Sequence, residues 1–569
     1  MARSEDLNCK LKTLSENATN RTEGSSVSLN LDIFIINVFF DGTWNNKENN
    51  NLYRGLNPEY KLSSDKKEAL KQKQSIDKGL SYHREATTVE WLFKSFQPNG
   101  QKNIAVYIEG TGTLDKDDDS AFSAGSGWGG KRGFEAKLQR AFDYIAAELA
   151  KKELAGKPFD ILQFNIYGFS RGAASARYFA NRLRDTYIDH VTGKEKYYIE
   201  KFEFKNSPQP CQVQLGFVGI LDTVASVGLK QDNDAKEWKQ ALDQPNPQIE
   251  QIPDLPRGYK VVHIVAANEA RTYFSLYNIK SAMDKGYGVE FALPGCHTDI
   301  GGGLGALEEL VDDKVVIVGK NEVVHYVHEQ HNGNLPKQDN KHFNSEGDHD
   351  EGGGFFDNVL SRLLRQKIAA SQVDAKKLSD AMIEMGYYDE DELITNLSSL
   401  PNYKANLAGS KLYLIDNSSN EYGTGGFDQT SPKIDRLLSG YRHQINSGYP
   451  RVVCNLMLDF IKKYNVDYFP KFKNNIEAQI PDSFLQGVYE KFKEQAMAHD
   501  DECKAAQKWT HKEIQLSDKA DSRKLFKNYL HWSGDGELMD AQIQQWGEAV
   551  RTIYNAQNTH TLGTNDAIA

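Results

Sequence analysis

Apolar residues gather in six short runs: Ile33–Phe40, Ile104–Ile108, Ile161–Tyr167, Val213–Leu221, Tyr259–Val265 and Val289–Leu293. Several are apolar at almost every position, the pattern of strands buried on both faces. Segments with helical spacing fall between them, at Thr87–Phe96, Gly133–Glu153, Ala173–Arg184 and Lys236–Leu242. Strand alternating with helix predicts an α/β fold with a mostly parallel sheet and helices on both faces. Ligand chemistry in such a sheet gathers beyond the carboxyl ends of the strands. Residues 1–30 are polar, rich in Ser, Asn and Thr, and read as a flexible tail. Beyond about Gly305 the pattern changes. Residues 311–344 are mixed and include a short strand pair, and Asp348–Gly354 reads as an acidic loop. Residues 356–396 read as helices, and 426–557 as mostly helical with tyrosines, tryptophans and lysines interleaved. The chain thus divides into a tail (1–30), an α/β unit (31–310) and a mainly helical accessory region (311–569).

The third run leads into Gly168-Phe169-Ser170-Arg171-Gly172, and a helical run, Ala173–Ala180, follows. A serine at a sharp turn between strand and helix is the nucleophile elbow of an α/β-hydrolase, with its hydroxyl held out at the end of the sheet. Residues 31–310 then read as an α/β-hydrolase-like catalytic domain. A serine nucleophile needs a base and a residue that orients the base, in the chain order Ser, Asp or Glu, His. The fourth run ends in Leu221-Asp222-Thr223, and Pro294-Gly295-Cys296-His297-Thr298-Asp299 follows the sixth. Ser170, Asp222 and His297 therefore each sit just past a predicted strand, in the required order. Asp222 is preferred to Asp299 as the partner of His297, because Asp299 is only two residues away and cannot easily curl beneath the ring. The first run ends in Phe40-Asp41-Gly42-Thr43-Trp44. Backbone N–H groups of Gly42, Thr43 and Arg171 are the expected oxyanion hole. Asp41, with Glu109, Gly110 and Thr111 after the second run, is expected to border the substrate cleft.

Other motifs fail on their chemistry. Asp41-Gly42-Thr43 matches the end of the Asp-x-Asp-Gly-Thr motif of haloacid-dehalogenase-type phosphatases, but Phe39 stands where the nucleophilic aspartate belongs. Gly125-Ser126-Gly127-Trp128-Gly129-Gly130 fits a dinucleotide fingerprint yet follows an acidic loop, so it reads as a flexible loop of the cleft. Asp115–Asp119 starts like a calcium loop, but Ser120 and Ser126 occupy the positions that need Gly and Glu. His328-Glu329-Gln330-His331 is one residue short of a zinc-protease motif. The five cysteines are far apart and give no CxxC spacing. No metal and no cofactor is expected. The 569-residue chain carries a formal net charge of −11, which argues against a nucleic-acid partner. No apolar signal core opens the N-terminus, and Leu31–Phe40 is interrupted by Asp32 and Asn37. Synthesis in the cytoplasm without a Sec-type export signal is expected.

Five blocks, in order, resemble the type VI secretion lipase effectors of the first family, part of a larger group of uncharacterised α/β-hydrolases. They are Phe40–Asn45, Glu109–Thr113, Gly168–Ala173, Leu221–Gly228 and Pro294–Gly303. Late in the chain, Asp521-Ser522-Arg523 and His531-Trp532-Ser533 are also similar to that family. Cys296 departs from the small or aliphatic residue common before the family's histidine, without removing a triad atom. The resemblance implies a phospholipase A, A1 or A2, with Ser170, Asp222 and His297 as its triad. It implies a phospholipid membrane substrate, delivery by a VgrG-like spike protein into a target cell's periplasm, and a cognate immunity protein in the producer. Apart from the resemblance, the accessory region, rich in Tyr, Trp and Lys, reads equally as a lipid entrance or as a plain stabilising helical cap. Two other readings stand beside the phospholipase effector: an intracellular carboxylesterase or polyester depolymerase on the same triad, and a non-catalytic adaptor bound to the spike.

Overall fold

A computed structural model describes residues 33–97, 102–151, 161–183, 186–188, 195–197, 212–226, 242, 259–269, 271, 274–303, 310–318, 375–395, 411–416, 436–464, 476–532, 552–554 and 561–562. Seven strands form one sheet: β1 (Ile33–Phe40), β2 (Asn103–Ile108), β3 (Ile161–Phe169), β4 (Gln212–Leu221), β5 (Lys260–Ala266), β6 (Gly288–Leu293) and β7 (His511–Glu513). Their spatial order is β7-β6-β5-β4-β3-β1-β2, and every neighbouring pair is parallel. The six apolar runs form the first six strands, with bounds shifted by at most two residues. β7 reads His511-Lys512-Glu513, too short and too polar to signal a strand by itself.

Each face of the sheet carries its own core. Phe34, Ile36, Val38 and Phe40 of β1 pack with α2 (Phe134–Leu149) and α3 (Arg171–Arg182). Phe39 points the other way, among residues of α1 (Thr88–Ser95), α5 (Pro450–Lys463) and α6 (Ser483–Ala506). Alternate residues of a strand face opposite sides, so a two-faced core needs the continuous apolar runs seen in the sequence. Asn37 interrupts the first run without penalty. It sits in register with Asn165, accepts from Asn165 Nδ2 at 3.1 Å and donates to the Ile104 carbonyl at 3.3 Å. A buried amide is tolerated when its groups are paired in this way.

The region after 310 is more than a helical accessory. It supplies β7 at the sheet edge and α5 on the sheet face, so the expected division at 310 falls inside one packed core. It also holds a second sheet in the order Leu310–Val318, Arg436–Asn446, Lys411–Asp416, Leu393–Ile394. Arg436–Asn446 corrects the expectation of helix there: Leu437, Leu438, Tyr441 and Ile445 fall at helical spacing, and long-range strand pairing overrides it. The expected tail, the helix at 236–241 and the histidine and acidic segments within 319–374 lie outside the described residues.

Gly172, in the first turn of α3, lies where two loops touch: a Cβ there would sit 2.3 Å from the Phe40 carbonyl oxygen and 2.4 Å from that of Asp41. Backbone cannot yield as a flexible side chain can. Gly172→Ala is expected to lower stability by about 3 kcal/mol, the upper end of overpacking costs. Urea denaturation measures this; a loss below about 0.5 kcal/mol would show that α3 can slide away from β1.

Candidate active site

β3 runs through Phe169 and α3 starts at Arg171, so Ser170 makes the turn between them, at φ 59° and ψ −128°. Such a backbone costs a non-glycine residue on the order of 1–3 kcal/mol and persists only where the surroundings hold it. Here Ser170 N–H donates to the Leu221 carbonyl at 3.0 Å, and Val224 N–H donates to the Ser170 carbonyl at 3.3 Å. These bonds tie the serine to the end of β4, which carries Asp222. The Ser170 side chain makes no capping bond to α3.

Asp222 also has positive φ, 40°. Its N–H donates to the Ile264 carbonyl at 2.8 Å, and its Oδ1 accepts from Ala266 N–H at 2.9 Å. Its Oδ2 lies 2.5 Å from His297 Nδ1. An ionised carboxylate can only accept, so Nδ1 carries the proton and Nε2 presents a lone pair. The imidazole is wedged between the rings of Phe169, at 4.6 Å between centroids, and Phe274, at 4.9 Å. Burial pushes its pKa below the ordinary histidine value, and the upward pull of Asp222 does not cancel the effect. The turn after Asp222 is held as well: His263 Nε2 accepts from Thr223 N–H at 3.1 Å, and His263 Nδ1 lies 2.8 Å from Glu290 Oε2.

Asp299 faces elsewhere. Its Oδ2 accepts from Cys296 N–H and from His531 N–H, both at 2.9 Å, and its Oδ1 lies 2.7 Å from His531 Nδ1. A further group at the site escaped the sequence reading. His297 N–H donates to Glu269 Oε2 at 3.1 Å, Arg271 grips that carboxylate through Nε and Nη2 at 2.9 Å each, and the Arg271 guanidinium lies 3.5 Å from the Phe274 ring centroid. Glu269 was legible in principle, since it lies three residues past β5, as Asp222 lies one past β4. Arg271 and Phe274 carry no comparable signal.

The loop residues expected around the cleft are engaged inside the protein. Gly42 N–H donates to Asp41 Oδ1 at 2.7 Å, so in this conformation it is not available to an oxyanion. Asp41 is buried and also accepts from Tyr107 Oη at 2.6 Å and Thr87 Oγ1 at 2.8 Å. Burial pushes its carboxyl up to about 7, against the opposing Tyr107 hydrogen bond. Glu109 is buried in ion pairs with Lys137, at 2.7 Å, and Arg140. Gly110 N–H donates to the Asn45 carbonyl at 2.8 Å, and Thr111 accepts from Trp44 N–H at 3.2 Å. A Cβ on Gly110 would sit 1.7 Å from the Gly42 carbonyl oxygen. Asp41, Glu109, Gly110 and Thr111 thus brace the loops from within. The physical reason is that two strand-end loops stacked on each other must satisfy their own polar groups. Thr43 belongs to the same loop, with its Oγ1 buried and without a hydrogen-bond partner among the described residues. Arg171 sends Nη1 to the carbonyls of Ala124 and Gly125, the latter at 3.1 Å. The expected glycine loop is half helix: Ala121–Ser126 is helical and ends at Gly127, φ 74°, which leaves Trp128 half exposed.

Among the described residues, no group of three or more His, Cys, Asp and Glu side chains could hold a metal ion. No helix there is long and apolar enough to cross a membrane.

The parallel sheet, with a serine at a strand-to-helix turn and a histidine–carboxylate pair at the same edge, defines an α/β-hydrolase-like protein. A family model described as "T6SS, Phospholipase effector Tle1-like, catalytic domain" matches residues 183–316, a span that holds Asp222, Glu269 and His297. This bears out the resemblance to the type VI secretion lipase effectors and supports a phospholipase effector of that system. Among solved structures, one described as the Tle1 effector bound to the VgrG spike of the type 6 secretion system is 19% identical, covers 91% of this chain and 88% of its own, and has a TM-score of 0.47. An uncharacterised protein from Pseudomonas aeruginosa is 20% identical, covers 54% of this chain and 45% of its own, and has a TM-score of 0.28. No curated protein matches the chain.

The His297 ring should be neutral with its proton on Nδ1, and it should protonate only as pH falls below about 6.5, the ordinary imidazole value. Nitrogen-15 NMR of the histidine rings, assigned with His297→Gln, checks both points. Protonation midway above pH 7 would contradict the balance of burial over the Asp222 attraction.

Proposed function

We propose that the chain is an antibacterial type VI secretion effector, a serine phospholipase A that cleaves acyl esters of glycerophospholipids. The observation that carries this reading is the His297–Asp222 hydrogen bond beside a serine held in a strained turn at the same sheet edge. The family match over residues 183–316 supports the effector assignment.

Ser170 Oγ attacks the acyl carbonyl while His297 Nε2 takes its proton. Asp222 keeps Nδ1 protonated and stabilises the imidazolium that forms. The tetrahedral oxyanion is received by the backbone N–H groups of Arg171 and Thr43; that of Gly42 joins them once it leaves Asp41 Oδ1. Collapse of the intermediate releases the lysophospholipid, whose leaving oxygen takes the proton from His297. Ser170 then carries the acyl group as an ester. A water deprotonated by His297 attacks that ester, the fatty acid departs and Ser170 regains its proton. A VgrG-like spike would carry the effector into the target periplasm, where phospholipid lies exposed, and an immunity protein would protect the producer.

Ser170→Ala should lower turnover of phospholipid and of short-chain p-nitrophenyl esters by about 10⁶-fold, as in other serine triads. A folded variant that keeps more than about a tenth of the activity excludes Ser170 as nucleophile. Mass spectrometry of the products from a phospholipid with two distinct acyl chains then separates A1 from A2.

Expression with an added signal peptide should kill the host, and expression without one should kill far less. Counting survivors tests this. Equal killing from both compartments points to an intracellular target, and killing that persists in Ser170→Ala points to a non-enzymatic toxin.

A further inference from the structure

We propose that His531 is a positioning residue for His297, acting through Asp299, so that the C-terminal segment is a working part of the active site. The inference rests on the serine-hydrolase reading given above.

His297 opens α4 (His297–Gly301), a helix of five residues joined to β6 by Pro294-Gly295-Cys296. One turn of helix has little stability of its own, so the direction of the imidazole depends on what fixes the loop. Asp299 fixes it from inside: Oδ2 takes the Cys296 N–H at 2.9 Å, one residue before His297. That carboxylate is fully buried and is itself held from outside the loop. His531 gives it two hydrogen bonds, one from its backbone N–H at 2.9 Å to Oδ2 and one from Nδ1 at 2.7 Å to Oδ1. His531 Nε2 is buried and has no hydrogen-bond partner among the described residues, so the ring serves Asp299 alone there.

The segment that presents His531 is anchored in turn. α7 (Lys519–Asn528) ends just before it. The buried Arg442 donates to the Leu530 carbonyl through Nη1 at 3.0 Å and Nη2 at 2.9 Å, and to the carbonyls of Phe526 and Lys527 at 3.1 and 3.0 Å. Gly295, at φ 114°, leaves room for this approach: a Cβ there would meet Asp299 Oδ2 at 3.0 Å and Leu530 Cδ2 at 3.2 Å. A continuous path of buried hydrogen bonds thus runs from Arg442 through Leu530, His531 and Asp299 to the residue before His297. Asp222 sets the tautomer of His297 and Glu269 holds its backbone N–H; the His531–Asp299 pair sets where the loop that carries it stands.

The test compares His531→Ala, His531→Asn and His531→Gln in the full chain. Asn places an amide nitrogen at the position of Nδ1, whereas Gln places it one bond further out, at the position of Nε2. Kinetics on a short-chain p-nitrophenyl ester should show kcat lowered on the order of 10²-fold in Ala, the cost of roughly 1 Å of misplacement, with KM little changed. Asn should recover at least about tenfold of that loss and Gln should not, which keeps the comparison decisive if Ala does not fold. Equal kcat in Asn and Gln, or a folded Ala variant within about threefold of the parent, would overturn the proposal. A second readout does not need activity: the downfield proton resonance of His297 Nδ1–H should be present in the parent and Asn chains and lost or broadened in Gln. Its persistence in Gln would also overturn the proposal. A parent chain without Ser170-dependent turnover would sink the hydrolase reading, and the proton resonance would still decide whether His531 holds His297.

Discussion

The close stacking of backbone at the carboxyl edge of the sheet is the constraint on which the rest depends. Gly172 brings α3 against the carbonyls of Phe40 and Asp41, and Gly110 brings the loop after β2 against the carbonyl of Gly42. With no side chain in the way, these strand-end loops interlock through backbone hydrogen bonds such as Gly110 N–H to Asn45 and Trp44 N–H to Thr111. Ser170 and Asp222 can then be held at positive φ, because their neighbours leave them no other conformation. The strain is local, and the core on both faces of the sheet sustains it.

Charge at this edge is arranged in separate buried pairs. Asp222 faces His297, Glu269 faces Arg271, Asp299 faces His531, and Glu109 faces Lys137 and Arg140. In a low-dielectric interior a carboxylate without a partner is costly, so each acid is held by its own set of partners. That commitment keeps Asp299 away from His297 although it lies only two residues further along the chain. It also keeps Asp41 with Tyr107 and Thr87, where it braces the loop after β1.

The described part of the chain beyond 310 closes the structure around this edge. α5 covers one face of the sheet, β7 extends it beside β6, and His531 reaches the loop that carries His297. Residues 232 positions apart in the chain therefore meet beside the loop that carries His297.

Local pattern determined much of this protein. Continuous apolar runs placed six of the seven sheet strands, because strands buried on both faces leave that signature. Gly168-Phe169-Ser170-Arg171-Gly172 marked the turn after β3, because only that spacing lets strand and helix pack around a serine. The preference for Asp222 beside His297 was also legible, since a carboxylate two residues from a histidine has no easy path beneath its ring. Tertiary structure alone decided the remainder. β7 has no hydrophobic signature and exists because β6 offers an edge. Arg436–Asn446 is a strand because Leu310–Val318 and Lys411–Asp416 pair with it. The buried partners of Asp41 and Glu109, which make them braces of the strand-end loops, come from other strands and helices. The pairing of Asp299 with His531 spans 232 residues, and no local pattern encodes a contact that forms only when the two ends of the fold are brought together.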